Sequence, residues 1–486
     1  MRKAKIVCTI GPATDSPPML ERLIESGMDA ARLNFSHGSH ESHAAAIAAI
    51  RRAADKRRTA VSIIQDLQGP RIRVGAIAES GIDVAMGESV RLLAVAEDFT
   101  DHAGPRSSAP ADASGRDIPV TYPQFASDVR PGARILINDG LIELAVTRIS
   151  GSSVECRVVT GGRIMPRKGI NLPGTAVSTP TCTEKDRADI RFGVSHDVDY
   201  LALSFVRGPE DIAAARAFVA ELGGQQGIIA KIERAEAVSA LDAILEVADG
   251  VMIARGDLGV EMGPEAVPIL QKRIIASANR HRRIVITATQ MLESMTQALR
   301  PTRAEASDVA NAVFDGTDAV MLSAETAIGA HPIETVQVMD RIIRAAEDAT
   351  EPGTAPQRQS DGEQILFPEA VCAAAFAAAQ SIAARAIVAF SERGATARLI
   401  SKQRPSAPII AFTPFEAVRR AMALYWGVFP YTIPQIEHTD ARVDEAERRL
   451  KLENLVKTGE RIVIVSGTQV GHPGGTNLMK LHEVRE

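Results

Sequence analysis

The chain has 486 residues, which is more than one ordinary hydrophobic core can use, so we expect about two to four domains. Hydrophobic residues make up 45% and charged residues 24%, as in globular proteins, while the low aromatic content of 4% favours an α/β fold built on aliphatic side chains. The net charge of -5 and the absence of a long basic run argue against a nucleic-acid partner.

The sequence also argues against a structural zinc site and a membrane segment. The four cysteines are far apart and form no Cys/His cluster with metal-binding spacing. The apolar stretch near the start is soon interrupted by Gly11 and Pro12, so we expect no secretory leader. The most apolar run, around 370–380, is well short of the roughly 18 residues that a membrane span needs. We therefore expect a cytoplasmic protein without a membrane partner.

Short β-branched runs alternate with stretches of helical period, a pattern typical of repeated β/α units around a parallel sheet. The predicted strands are 4–10, 29–35, 60–66, 198–205, 227–233, 250–254, 283–289 and 318–322. The clearest predicted helices are 17–26, 41–56, 209–222, 235–247, 302–314 and 332–348. Eight strand and helix pairs are the number that closes a (β/α)8 TIM barrel.

The segment between the third strand and its helix lacks this alternation and is predicted to be an inserted β domain. Two apolar runs within 134–146 flank Asn138-Asp139-Gly140, a hairpin signal, and 150–159 alternates in character. Such a body could close over the barrel mouth and exclude water.

After about residue 350 a linker composition leads into a second α/β alternation, which predicts a further domain. Its predicted strands are 386–390, 408–412 and 461–465, and its predicted helices are 368–384 and 417–424. We expect a barrel over 1–69 and 172–350, a β lid over 70–171 and a C-terminal α/β domain over 351–486.

Polar residues collect at the carboxyl ends of the predicted barrel strands, where enzymes of this architecture have their active sites. Lys231 and Glu233 are two apart on one strand and share a face, and Asp257 follows the next strand. Two carboxylates suit magnesium, and the ammonium could neutralise charge that moves onto an enolate oxygen. An isolated Lys-x-Glu is more often a surface ion pair, but this position beside a second carboxylate favours a site.

Other charged residues at these strand ends are open to two interpretations. Backbone amides around Gly256 could hold a carboxylate or phosphate, or could form only a strand-ending turn. Arg32 and Arg73 offer forked donors for phosphate oxygens, or could be ordinary charges on the barrel rim. The histidines near the second helix lack partners in the sequence pattern, so we do not expect a metal site at His37, His40 and His43.

The chain closely resembles the pyruvate kinase family in Ala-Arg-Leu-Asn-Phe-Ser-His-Gly at 31–38, Lys-Ile-Glu at 231–233, Ala-Arg-Gly-Asp-Leu-Gly at 254–259 and Ala-Thr-Gln-Met-Leu-Glu-Ser-Met at 288–295. Further similar motifs lie at 10–13, 168–174 and 321–327, so the resemblance covers nearly the whole chain. It implies a TIM barrel with a small β-barrel lid and a C-terminal regulatory domain. It also implies phosphoryl transfer from phosphoenolpyruvate to ADP, which gives pyruvate and ATP in the last step of glycolysis.

The resemblance further implies roles for individual residues. Lys231 would stabilise the transferring phosphoryl group and the enolate, and Arg32 would hold the substrate phosphate. Glu233 and Asp257 would bind magnesium or manganese. The family's contacts to the substrate carboxylate correspond to Gly256 and Thr289. Its contacts to the nucleotide correspond to Asn34, His37, Arg73 and Lys168. Thr289 would lie near the carbon that is protonated, but its hydroxyl is a poor acid alone, so the proton donor stays open.

The family's monovalent-cation site corresponds to Asn34, Ser36, Asp66 and the carbonyl of Leu67, where threonine is commoner. Arg71 stands where potassium-dependent members carry glutamate, and members with a basic residue there tend not to need the ion. A fixed guanidinium could replace the missing positive charge. We therefore predict that potassium, although it could bind, is not required.

In the C-terminal domain, Ser391, Arg393 and Thr396 lie at a predicted strand-to-helix junction suited to a phosphorylated effector, with a companion loop at 471–477. Both segments could equally be plain turns. The resemblance also implies a homotetramer. Two other functions stay open at this point: a magnesium-dependent barrel lyase or aldolase that needs no nucleotide, and a non-catalytic metabolite sensor.

Overall fold

The computed structural model describes residues 1–95, 117–350, 366–436, 438–467 and 475–486. Eight parallel strands form a closed barrel in which each strand pairs with its neighbours in chain order, and the eighth pairs with the first. They are Lys5–Thr9, Ala30–Asn34, Ser62–Asp66, Tyr200–Leu203, Gly227–Ile232, Gly250–Ala254, Ile284–Ala288 and Ala319–Leu322. The predicted TIM barrel is confirmed, and its strands are mostly apolar because both faces of a parallel barrel are buried, with polar residues toward their carboxyl ends.

Helices surround the barrel strands. They are Pro17–Ser26, His40–Lys56, Glu184–Ser195, Pro209–Glu221, Ala235–Ser239, Leu241–Val247, Arg255–Met262, Val267–Arg280, Arg303–Phe314, Ala324–Ala327 and Pro332–Asp348, with a 3-10 turn at Glu293–Thr296. The single helix predicted over 235–247 is wrong, because the backbone leaves helical geometry at Ala240, where φ is -93° and ψ is 14°.

The insertion after the third barrel strand forms a separate β body with its own apolar core. Its sheet consists of Ile72–Arg73, Ser89–Ala94, Asp117–Val120, Arg134–Ile137, Ile142–Ser150, Ser153–Thr160 and Gly169–Asn171. A bridge between Val74 and Val120 joins the two edges of this sheet, so the insertion closes on itself. The short pair Ile82–Val84 and Gly162–Ile164 and the helix Phe125–Asp128 complete it. The predicted hairpin is confirmed, and Asn138, Asp139 and Gly140 all have positive φ.

A third sheet lies in the C-terminal part of the chain. Its strands, in spatial order, are Val428–Thr432, Ile409–Thr413, Ala386–Phe390, Arg461–Gly467 and the antiparallel Thr476–Glu483, with helices Phe367–Ser381, Ala395–Ser401, Glu416–Met422 and Thr439–Leu452. Tyr200 Oη donates to the carbonyl of Ala421 at 2.9 Å, and Lys5 Nζ donates to that of Val428 at 2.7 Å. Because Tyr200 and Lys5 begin barrel strands, this part packs against the amino end of the barrel, opposite the predicted site.

Candidate active site

Lys231 lies at the centre of a buried charged cluster at the carboxyl end of the fifth barrel strand. Its Nζ is 2.8 Å from Glu233 Oε1 and 3.2 Å from Asp66 Oδ1, and it donates to Ser204 Oγ at 2.7 Å. Burial alone would lower the pKa of Lys231, but the two carboxylates outweigh it and the pKa is raised. The ammonium is therefore charged at neutral pH.

Glu233 and Asp257 face the same cleft between the barrel mouth and the lid. Burial raises the pKa of Glu233, and the negative charge of Asp257 adds to that rise. Glu233 Oε2 accepts from the amide of Phe205 at 2.6 Å, and Oε1 is the oxygen that pairs with the Lys231 ammonium. A buried carboxylate next to a second carboxylate fits a divalent cation that takes its other ligands from water and substrate. No cluster of three or more acidic, histidine or cysteine ligands occurs in the described residues.

Arg32 shares Asp66 with Lys231. Arg32 Nε is 2.7 Å from Asp66 Oδ2, and Arg32 Nη1 donates to Thr9 Oγ1 at 3.1 Å. Arg32 and Lys231 hold the pKa of Asp66 below its usual value although burial opposes this. Arg32 Nη2 donates to no described residue, which leaves this end of the guanidinium for a phosphate oxygen.

Thr289 follows the seventh barrel strand with a left-handed backbone, φ 73°, which is costly for a β-branched residue. Arg255 holds this turn, since its Nη2 donates to the carbonyl of Thr289 at 2.6 Å and its Nε to that of Ala288 at 3.0 Å. Asp308 in turn pairs with Arg255 at 2.7 Å. A Cβ on Gly256 would lie 3.0 Å from Thr289 Cγ2, so the missing side chain leaves room beside the threonine.

The predicted nucleotide residues come from both the barrel and the lid. Arg73 pairs in register with Gly169, the residue after Lys168, so the structure brings these two cations onto neighbouring lid strands. Burial lowers the pKa of His37, and the positive charges of Arg71, Arg73 and Arg32 lower it further. A neutral imidazole among three guanidinium groups is an environment suited to anionic groups.

The expectation that the nearby histidines lack partners is wrong for two of them. His40 Nε2 is 2.8 Å from Asp189 Oδ1, and His43 Nε2 is 2.9 Å from the carbonyl of His37. These contacts are between residues far apart in sequence or across a loop, so the local pattern could not predict them. They make His40 and His43 structural groups and give no support to a metal site.

The candidate monovalent-cation residues also lie together. Asn34 Oδ1 accepts from the amide of Ser36 at 3.1 Å, and the carbonyl of Leu67 accepts from Ser204 Oγ at 2.7 Å. Both carboxylate oxygens of Asp66 have cationic partners. Arg71 is exposed at the cleft and makes no ion pair with the described residues.

The predicted effector loop follows the strand Ala386–Phe390 of the third sheet. Ser391 and Thr396 are buried, Arg393 is exposed, and Thr396 Oγ1 is 2.7 Å from Thr476 Oγ1. The predicted companion loop lies outside the described residues over 471–474.

Three residues of the site were missed by sequence reasoning. Ser204 binds Lys231, and Arg255 and Asp308 hold the Thr289 turn. Ser204 lies next to the end of the predicted strand 198–205, and that position is the signal that could have revealed it.

None of the helices in the described ranges is both long and apolar enough to cross a membrane.

Two family models match this chain: "Pyruvate kinase, barrel domain" over residues 1–336 and "Pyruvate kinase, alpha/beta domain" over residues 369–482. The pyruvate kinase of Geobacillus stearothermophilus is 44% identical over 488 residues, covering 100% of this chain and 81% of the relative. That of Clostridium perfringens is 40% identical over 487 residues and is covered completely. A crystal structure of a pyruvate kinase from Cryptosporidium parvum matches with a TM-score of 0.90 and 38% identity, covering 99% of this chain and 96% of the other.

Proposed function

The chain belongs to the pyruvate kinase family, and on that premise we propose that its barrel mouth transfers the phosphoryl group of phosphoenolpyruvate to ADP. The products are pyruvate and ATP. The observation that carries the proposal is the buried Lys231 ammonium held between Asp66 and Glu233 at a cleft that Asp257 also lines. The comparisons do not favour the lyase and sensor alternatives.

In this proposal Lys231 stabilises negative charge as the phosphoryl group leaves. The charge on the transferring group and on the enolate oxygen grows in the transition state, where a fixed cation lowers the barrier most. Arg32 binds the substrate phosphate through its unpaired end, and Asp66 keeps both cations in place. These contacts need no rearrangement during the reaction, which is the advantage of a preorganised site.

Glu233 and Asp257 would hold magnesium or manganese. Such an ion would supply positive charge that offsets the charge of the phosphoryl group. The two carboxylates that line one cleft support this assignment.

Gly256 and Thr289 would contact the carboxylate end of phosphoenolpyruvate. The open space beside Gly256 and the fixed turn at Thr289 support this assignment. The Thr289 hydroxyl would orient the water that delivers the proton to the enolate carbon, because a threonine hydroxyl is too weak an acid to do so alone.

Arg73 and Lys168 from the lid, with Asn34 and His37 from the barrel, would bind the phosphates of ADP. The lid would thereby close over the nucleotide and keep bulk water away, which protects the phosphoryl group from hydrolysis during its transfer. Positive charge from both bodies around one cleft supports this assignment.

Several finer features belong to the same proposal. We propose, together with the activity, a homotetrameric assembly and a cytoplasmic location. The proposed domains are a barrel over 1–69 and 172–350, a lid over 70–171 and a C-terminal domain over 351–486. A phosphorylated metabolite would bind at Ser391, Arg393 and Thr396 as an allosteric effector. The hydrogen bond that joins Thr396 to Thr476 supports a two-loop site there.

A coupled assay of pyruvate formation tests the proposed function. We expect pyruvate only when phosphoenolpyruvate, ADP and magnesium are all present. Pyruvate formation without ADP would indicate a lyase or phosphatase, and no pyruvate under any condition would contradict catalysis.

A further inference from the structure

A buried carboxylate beside the barrel mouth is shared by a lysine and a histidine and takes part in no step of the proposed reaction. Asp189 is 2% exposed, its Oδ2 is 2.7 Å from Lys185 Nζ, and its Oδ1 is 2.8 Å from His40 Nε2. Its own carbonyl accepts from Gln65 Nε2 at 2.7 Å, which ties its helix to the third barrel strand. A buried carboxylate is costly unless it is paired and hydrogen-bonded, and removal of either partner would leave a buried charge uncompensated.

The Lys185 ammonium has a second partner in the loop that follows the second barrel strand. It donates to the carbonyl of Phe35 at 2.8 Å while it pairs with Asp189. The amide of the same Phe35 donates to the carbonyl of Asp66 at 2.9 Å. The peptide groups on either side of Phe35 are therefore both fixed, one by the barrel and one by the neighbouring helix.

The rest of the loop is held from the helix His40–Lys56. His43 Nε2 donates to the carbonyl of His37 at 2.9 Å, since a carbonyl can only accept. The Phe35 ring is 2% exposed and stacks on His43 at 4.0 Å between ring centroids. The His40 ring in turn stacks on Phe192 at 4.6 Å. Rotation of the peptide groups on either side of Phe35 would break the hydrogen bonds to Lys185 and Asp66.

We infer that Lys185, Asp189 and His40 are positioning residues that fix the Phe35 carbonyl and so orient the side chains of Asn34 and His37 toward ADP. Within the described part of the chain, none of the three makes a hydrogen bond or ion pair with Lys231, Arg32, Glu233 or Thr289, so we expect their effect to be larger on the nucleotide side of the cleft than on the phosphoenolpyruvate side. The inference rests on the proposed function, because it takes the loop to bind the nucleotide.

Steady-state kinetics with each substrate varied in turn test this inference. Lys185→Met removes the donor to Phe35, and we expect it to raise KM for ADP about tenfold. KM for phosphoenolpyruvate should stay within about twofold, because its contacts are untouched. Lys185→Arg should recover part of the ADP affinity, since a guanidinium can donate to both oxygens. Asp189→Asn should act in the same direction as Lys185→Met.

A matched control is Lys56→Met. Lys56 is an exposed lysine at the end of the helix that begins at His40, and it pairs with Glu21 of another helix at 2.8 Å. We expect no change in either KM. Equal increases in both KM values for Lys185→Met, without rescue by arginine, would overturn the inference and indicate a general structural role.

Direct titration of ADP by calorimetry separates this inference from the proposed function. If the wild-type chain shows no turnover, the proposed function fails, but ADP affinity can still be compared between the wild type and Lys185→Met. Weaker ADP binding by the variant supports the positioning role, and equal affinity overturns it.

Discussion

Lys231 shows how a charged side chain can be buried and still be ready for chemistry. Its ammonium is surrounded by Asp66, Glu233 and Ser204, so it gives up water for fixed oxygen atoms. Such a pair costs stability when either partner is removed, because the remaining charge is left buried. The same arrangement lets the cation act on a substrate without first shedding a hydration shell.

Lys231→Met is expected to lower kcat by about 10² to 10³, because the charge that stabilises the enolate is lost. Pyruvate formation in a coupled assay measures this loss. The melting temperature should also fall, since two buried carboxylates lose a partner. Lys272→Met, which removes an exposed lysine paired with Asp315, is the control and should change neither quantity. A kcat within about tenfold of wild type would contradict the assigned role.

Potassium dependence is expected to follow the charge at position 71. The wild-type chain should be active in buffer free of potassium and sodium, because Arg71 supplies a positive charge at the cleft. Arg71→Glu should make activity depend on potassium, with about tenfold stimulation on its addition. Turnover is measured over a potassium titration with tetramethylammonium as the background cation.

Arg130→Glu, another exposed arginine of the insertion, makes the same change in net charge and should not create a potassium requirement. If the wild-type chain shows no turnover until potassium is added, then the arginine does not replace the ion.

At the scale of elements, the ends of neighbouring barrel strands carry one shared site because parallel strands finish at the same edge. The turn after the seventh strand is the clearest case. The left-handed backbone at Thr289 persists because Arg255, from the helix after the sixth strand, binds two of its carbonyls. Asp308, from the helix before the eighth strand, holds Arg255 in turn.

Asp308→Asn is expected to loosen this turn and lower kcat about tenfold, because a misplaced Thr289 orients the proton-delivering water poorly. Deuterium exchange into the methyl group of pyruvate, followed by NMR, should slow by a similar factor. KM for phosphoenolpyruvate should change less than kcat. Asn311→Ala on the same helix is the control, since this residue is exposed and its side chain hydrogen-bonds among the described residues to Ser307 alone. Undiminished exchange in Asp308→Asn would show that the turn does not need this anchor.

The barrel could be predicted from sequence because each strand is a short β-branched run that the local pattern identifies. The carboxyl ends of the strands, where the site lies, could therefore be predicted as well. Lys231, Glu233 and Asp257 could be grouped for the same reason. The pairing of Asp308 with Arg255, and of Asp189 with His40, depends on helix packing that no local pattern encodes. The edge strand Val428–Thr432 was missed because it contains Pro430, which disfavours a strand.

At the scale of the whole molecule, catalytic and connecting charges lie at opposite ends of the barrel. The carboxyl end faces the lid, while the amino end carries ion pairs to the C-terminal part. Asp318 there pairs with Lys402 at 2.5 Å and with Arg404 at 2.9 Å. A change in the C-terminal part therefore acts on the starts of several barrel strands, among them the first, the fourth and the eighth, and reaches the site through the barrel.

The contact of Lys402 with Asp318 predicts a pH dependence of stability. Burial lowers the pKa of Lys402 to about 8 from an ordinary 10.5, although Asp318 opposes this, and Arg404 and Arg398 add to the lowering. Between these two pH values the unfolded chain binds more protons at this lysine than the folded chain, so its contribution to stability rises with pH across that window.

We therefore expect the wild type to gain melting temperature relative to Lys402→Met as pH increases from about 7 to about 9.5. Calorimetric melts of both proteins across this range measure the difference, which cancels the titration of all other groups. Lys402→Met still leaves Asp318 its partner Arg404, so the variant should fold. Lys451→Met, at a more exposed lysine that pairs with Glu447 at 2.8 Å, should show a flat difference. A flat difference for Lys402→Met as well would mean that this lysine keeps its proton throughout, and that Asp318 outweighs its burial.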